Sequence, residues 1–197
     1  AASDVYKRQQ ILHYGGISSD TWSQGNGGNV VFKANNLLID AMGNGAGAGI
    51  TSEARAGSAG QGGSVVVDVT GHLQLAELGF ISTATSAQGN AGPVSVMAGQ
   101  LTIDGKASGL AAIDSSSLTG STGNAGQVSV TVAGDTLLTH GGLIRSDTQT
   151  AGQGGTVAVS IGGDLRVDQD GRISSAANNS GNAGNVGINV SGNLDVG

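Results

Sequence analysis

Apolar and polar residues alternate in short runs along most of this chain. Val128-Ser129-Val130-Thr131-Val132 and Val186-Gly187-Ile188-Asn189-Val190 are two clear cases. A period of two is that of a β-strand, and no stretch carries a helical period. A second alternating run follows each of these after a short turn, as in Leu73-Gln74-Leu75, Leu101-Thr102-Ile103 and Leu165-Arg166-Val167. A third apolar anchor comes next: Ile17, Ile50, Ile81, Ile113, Ile144 or Ile173. Ser/Thr pairs such as Ser18-Ser19, Thr51-Ser52, Ser82-Thr83 and Ser174-Ser175 then lead away from the anchor, and are expected to face solvent.

The pattern repeats as a unit. A Gly-[Asn/Gln]-[Ala/Gly]-Gly tetrad begins at Gly25, Gly60, Gly89, Gly123, Gly152 and Gly181, at intervals of 35, 29, 34, 29 and 29 residues. Two residues after each tetrad stands a valine: Val30, Val65, Val94, Val128, Val157 and Val186. Repeats of this length point to a solenoid, in which each unit buries its apolar side only against its neighbours. Leucine-rich repeats lack a match to their Leu-x-x-Leu-x-Leu core here, and propeller blades are longer and richer in aromatics. The prediction is a right-handed parallel β-helix of about six coils with 29–35 residues per coil. Stacked at about 4.8 Å, six coils make a rod of roughly 30 Å. The second tetrad position is always an amide (Asn26, Gln61, Asn90, Asn124, Gln153, Asn182), which predicts a side-chain ladder along the rod. The flanking glycines are expected to supply tight or left-handed backbone.

Composition narrows the class. With 37 glycines, one proline and 38% hydrophobic residues, the chain is neither collagen nor a disordered linker. It has no cysteine, so disulfides and thiolate zinc sites are excluded. A formal charge of −6 argues against nucleic acid as a partner, and no apolar run is long enough for a membrane-spanning helix. Residues 1–9 stand outside the pattern. Asp4-Val5-Tyr6-Lys7-Arg8-Gln9 looks like a translated transposase end left by sequencing-library preparation, so residues 1–9 are read as a scar. Residues 10–197 are then a β-helix repeat fragment open at both ends, expected to self-associate end to end.

Gly89-Asn90-Ala91-Gly92, Gly123-Asn124-Ala125-Gly126 and Gly181-Asn182-Ala183-Gly184, each leading into a valine-rich strand, resemble the repeats of filamentous-haemagglutinin-like exoproteins. The resemblance runs from about Gly15 to Gly197. It implies the β-helical shaft of a large secreted or surface-attached adhesin from a Gram-negative or cyanobacterial source. It further implies export through a dedicated outer-membrane pore partner, and a glycan or cell surface as ligand. A carbohydrate-active β-helix enzyme and the stalk of a contact-dependent toxin delivery protein are the alternatives.

No catalytic, cofactor-binding or metal-binding residue is assigned, and no cofactor is expected. The richest charged stretch is Asp164-Leu165-Arg166-Val167-Asp168-Gln169-Asp170-Gly171-Arg172. Asp164, Asp168 and Asp170 offer oxygen ligands of the kind Ca²⁺ takes, or a carboxylate pair for glycan chemistry. Solvated Asp–Arg pairing is the favoured account. His13, His72 and His140 are read as falling at unlike places in their repeats, without metal-ligand spacing. The glycine-rich run from Gly43 to Gly49 lacks the lysine of a phosphate loop and is read as an expanded turn; Gly105 to Ala112 is its counterpart. Insertions in solenoids mark one face, so these two loops are the best places to look for binding. Asp114 and Arg145 interrupt the Ser/Thr rows and count against an ice-binding plane.

Overall fold

The structure, a computed structural model, describes residues 8–43, 45–106 and 109–197. Residues 1–7 of the expected scar lie outside this range, as do Asn44, Ala107 and Ser108 of the two loops. Arg8 and Gln9 open the first strand, in register with Asn36 and Leu37.

All strands pair in parallel, and the chain winds as a β-helix of about six turns with three faces. Strands are numbered along the chain. The first face holds β3 (Val30–Ala34), the opening halves of β6 (Val65–Ala76) and β8 (Val94–Asp104), then β10 (Val128–Val132), β13 (Val157–Ile161) and β16 (Val186–Val190). The second face holds β1 (Arg8–Leu12), β4 (Asn36–Asp40), the closing halves of β6 and β8, β11 (Thr136–Thr139), β14 (Leu165–Val167) and β17 (Leu194–Val196). The third face is a separate sheet of β2 (Gly16–Ser18), β5 (Ala48–Thr51), β7 (Gly79–Ser82), β9 (Ala111–Asp114), β12 (Gly142–Arg145) and β15 (Arg172–Ser174). Among the described residues no helix is long and apolar enough to cross a membrane.

The alternation read from the sequence builds the core. Val30, Val65, Val94, Val128, Val157 and Val186 form one in-register column. The six isoleucine anchors form another, with Ile50, Ile81, Ile113 and Ile144 fully buried. Each buried aliphatic side chain contributes about 1.5–3 kcal/mol, but only when the coils above and below cover it. Thr136 stands in the column of Leu73, Leu101 and Leu165, and its buried hydroxyl has no partner.

Three corners join the faces. Between the first and second faces, carboxyl and carboxamide oxygens take the backbone N–H one coil on. Asn36 Oδ1 accepts from His72, Asp135 Oδ1 from Asp164, and Asp164 Oδ1 from Asn193, at 2.7–2.9 Å.

The third face returns to the first through the glycine tetrads, where two expectations change. No tetrad glycine has a positive φ. Glycine is needed there because the coils touch backbone to backbone. A Cβ on Gly60, Gly89, Gly123, Gly152 or Gly181 would overlap the carbonyl oxygen of the first glycine one coil below. The fourth glycines are equally tight: a Cβ on Gly92 would overlap Gly63 O, and one on Gly155 would overlap Gly126 O. The amide ladder also differs from a side-chain stack. Asn26, Asn90 and Asn124 each accept, through Oδ1, the backbone N–H of the amide residue in the next coil, at 2.8–3.0 Å. Gln61 and Gln153 make no such bond, because one more methylene carries the oxygen past the N–H.

The Ser/Thr pairs are corrected as well. Ser52, Thr83, Ser115, Ser146 and Ser175 point into the coil and are buried. Their hydroxyls donate to carbonyls of the fourth tetrad glycines, Ser52 to Gly28, Thr83 and Ser115 to Gly92, Ser146 to Gly126, and Ser175 to Gly155. Thr21, Thr85 and Ser117 do the same for the first glycines Gly25, Gly89 and Gly123. The tetrad is thus held at both ends by hydroxyls from inside, which meets the requirement that buried carbonyls find donors.

Candidate binding face

The remaining corner joins the second face to the third and carries both glycine-rich loops, as the insertion argument predicts. It is also where the backbone is least regular. Every non-glycine residue with a positive φ lies here: His13, Met42, Glu77, Leu78, Lys106, His140, Gln169 and Asp170. Left-handed backbone at such residues costs about 1–2 kcal/mol each and often accompanies function. His13 and His140 follow Leu12 and Thr139, which share one column, so they occupy equivalent places, not unlike ones. Lys106 reaches across one coil to Asp40, with Nζ–Oδ2 at 3.1 Å, tying the two loop-bearing coils together.

Beside this corner, the outer surface of the third face carries a hollow of about 260 Å³. Its rim includes Gly45 and Gly47 from one loop and Leu110 from the other, and Phe80, Ala112 and Leu118 line it with apolar surface. The Phe80 ring covers Gly47 and Gly49, where a Cβ would collide with it. Glu53, Asp114 and Arg145 supply the charge. Glu53 and Asp114 keep only 13% and 9% of their side-chain surface. Asp114 and Arg145 are register partners, and Arg145 Nη2 lies 2.9 Å from Asp114 Oδ2. Asp114 Oδ1 also accepts from Ser116. Arg145 Nε is buried without a partner. Glu53 accepts from Ser82 Oγ and pairs with Arg55 Nη1 at 2.8 Å. Arg55 also grips Asp20 at 2.7 Å, and its guanidinium sits 5.6 Å from the centroid of the Trp22 ring.

Burial raises the Glu53 carboxyl above its ordinary range, outweighing the Ser82 hydrogen bond and Arg55; Asp20 and Asp114 add to the rise. For Arg145, burial opposes the charge, but Asp114 and Asp147 more than offset it, so its pKa rises. A carboxyl shifted by burial beside a cavity and a buried guanidinium marks a candidate site.

The Asp164–Arg172 stretch is not brought together as a site. Asp164 belongs to the first corner, holding Asn193. Asp168 pairs with Arg166 at 2.8 Å, and Asp170 lies in the left-handed turn. Among the described residues no three acidic, histidine or cysteine groups are placed to hold a metal ion. A larger hollow of about 500 Å³ lies on the second face between His72 and Asp195, where Asp164 holds Asn193 and Arg166 pairs with Asp168. His72 Nε2 meets Thr102 Oγ1 at 2.9 Å, and its pKa is lowered by burial and then by Arg8.

Glu53 and Phe80 drew no attention in the sequence, and Asp114 and Arg145 stood out only as interruptions. The signal was their distance from the anchor. Asp114 and Arg145 each follow an isoleucine directly, so the repeat register alone makes them neighbours.

The fold defines the class, a β-solenoid repeat protein. No family model matches the chain, and neither a curated protein nor a solved structure matches it.

Proposed function

We propose that this chain is a length of the non-catalytic shaft of a large secreted or surface-attached bacterial adhesin, of the filamentous-haemagglutinin kind. The observation that supports this reading is the register kept within each column, the shift between Val69 and His72 falling between columns. The same glycine, valine and isoleucine columns run through coil after coil without a break, which suits a spacer built by repetition. Its outer surface attaches to cells, surfaces or glycans. A dedicated outer-membrane pore exports it, and copies of this chain associate end to end, measurable by sedimentation at several concentrations.

The test is attachment. Fluorescently labelled protein is applied to cultured epithelial cells and to surfaces coated with glycans. Saturable binding that unlabelled protein displaces is the expected result. Absence of binding to every surface overturns the adhesive part. Release of reducing sugar from a panel of polysaccharides overturns the non-catalytic part and moves the chain to the carbohydrate-active enzymes.

A further inference from the structure

The charged groups around the hollow are not required in every coil. Other coils place Thr51, Ser82 and Ser174 in the column of Asp114 and Arg145, and Ala84 and Ala176 in that of Glu53, although Asp20 and Asp147 also stand in that column and accept backbone N–H groups one coil on. A coil can therefore fold with serine and alanine at these positions. Taking such groups out of water is costly unless they are paired. Here Glu53, Asp114 and Arg145 meet at a hollow whose rim includes both glycine-rich loops, with an aromatic ring beside them.

We propose that the hollow bounded by Glu53, Phe80, Asp114 and Arg145 binds a neutral pyranose unit of a glycan. This names the ligand and the place for the adhesin reading, and rests on it. Volume agrees with a small ligand, since about 260 Å³ lies just below the usual lower bound of about 300 Å³ for drug-sized ligands. The chemistry is amphipathic in the way a sugar ring is. Phe80 and Leu118 offer an apolar wall for the C–H face, carboxylate oxygens accept from hydroxyls, and the unpartnered Arg145 Nε is a donor. Charge sets the class. Among the residues lining the hollow, Glu53 and Asp114 outnumber Arg145, so the hollow disfavours a uronate or a sulfated sugar and suits an uncharged one. Trp22, exposed and stacked on Arg55, stands beyond Glu53 and extends the surface to a neighbouring ring. Because the two loops frame a single coil, the site occurs once along the described residues.

The whole chain is titrated by calorimetry and saturation-transfer NMR with the methyl glycosides of glucose, galactose, mannose and N-acetylglucosamine, and with galacturonate and heparin as acidic probes. At least one neutral glycoside should bind, with neither acidic probe competing. Phe80→Ala and Glu53→Gln should each weaken that binding tenfold or more, and Arg166→Ala on the second face should leave it unchanged. Both variants alter the outer surface and leave the isoleucine column intact; thermal melts check this. Failure of every neutral glycoside to bind, stronger binding of an acidic probe, or unchanged binding by both variants overturns the site. Cell attachment that survives both variants removes the hollow from adhesion and leaves the adhesin reading standing. Sugar binding by a chain that attaches to no cell upholds the site and sinks that reading.

Discussion

The tetrad corner and the loop corner turn the same chain from face to face by opposite means. At the tetrad corner every coil uses the same four positions, and no residue of the tetrad itself adopts left-handed backbone. Glycine is there for want of a side chain, so that one backbone can lie on the next, and internal hydroxyls occupy the carbonyls. At the loop corner the turns differ in length from coil to coil, and histidine, glutamate, lysine and leucine are held at positive φ. The first corner gives its freedom away to stacking. The second keeps the variation, and the hollow and its charges lie beside it. Regular stacking is what supports an irregular neighbour: the rod's register is settled at one corner, so another can hold strained and inserted residues without slipping.

The largest test of this contrast is a pair of alanine substitutions. Gly92→Ala should cost about 4 kcal/mol or more, because the new Cβ overlaps the backbone of the coil below and neither coil can move alone. Gly43→Ala at the loop corner has a φ of +72° and open space, with the nearest atom at 3.8 Å. It should cost only about 1–2 kcal/mol, the ordinary price of left-handed backbone. Urea midpoints compare the two, and equal losses would show that close approach is not what the tetrad requires.

Next in size is the Asn column. Asn124→Leu removes the acceptor for Gln153 N–H and should cost about 1–2 kcal/mol, more than Ser129→Leu on the outer row of the first face. Asn124→Gln should recover little of that loss, since neither Gln61 nor Gln153 makes the bond. A glutamine variant as stable as the parent would break the account of the ladder.

At the loop corner the sign reverses. Glu77→Gly, at a φ of +38°, should be neutral or gain up to about 1 kcal/mol, because glycine relieves the left-handed strain. A thermal melt that falls by several degrees would mean that the corner is held by Glu77 itself.

The smallest effect is one of pH. Neutral amides and hydroxyls hold the tetrad corner, so pH sensitivity should come from the charged third face. Glu53 has a raised carboxyl, so its protonated form suits the fold better. Its favourable contribution is present below about pH 4.3, where an ordinary Glu protonates, and is lost as pH rises through the raised folded value. Glu53→Gln should therefore be more stable than the parent at neutral pH, with the gap closing as pH falls toward 4. A gap that widens in acid would reverse the assignment.

Much of this architecture is legible in residue order. The Val-x-Val runs, the isoleucine anchors and the tetrads name three of the columns and their register, because a period of two repeated at 29–35 residues has few other folded solutions. The Ser/Thr pairs misled because a hydroxyl beside a strand ordinarily faces water, and only the closing of the coil shows that Ser52 and Ser146 turn inward to glycine carbonyls. Asp164 lies at the other limit. The charged run around it reads as solvated Asp–Arg pairing, as Arg166 and Asp168 are paired, but its own partner Asn193 lies one coil away.

What the sequence by itself determined is the repeat and therefore the fold: stacking is a sum of identical nearest-neighbour terms, and each is written in a local pattern. What only the tertiary structure decided is which side chains meet across coils. Glu53, Phe80, Asp114 and Arg145 come from four successive coils; the isoleucine register makes Asp114 and Arg145 neighbours, but only the folded coil adds Glu53 and Phe80 to them. The left-handed turns beside them are equally silent in the sequence, since their residues, His13, Glu77 and Lys106 among them, carry no glycine signal to announce them. The physical reason is that periodic contacts repeat their cause in every coil, while a site is assembled once, from positions where the repeat departs from itself.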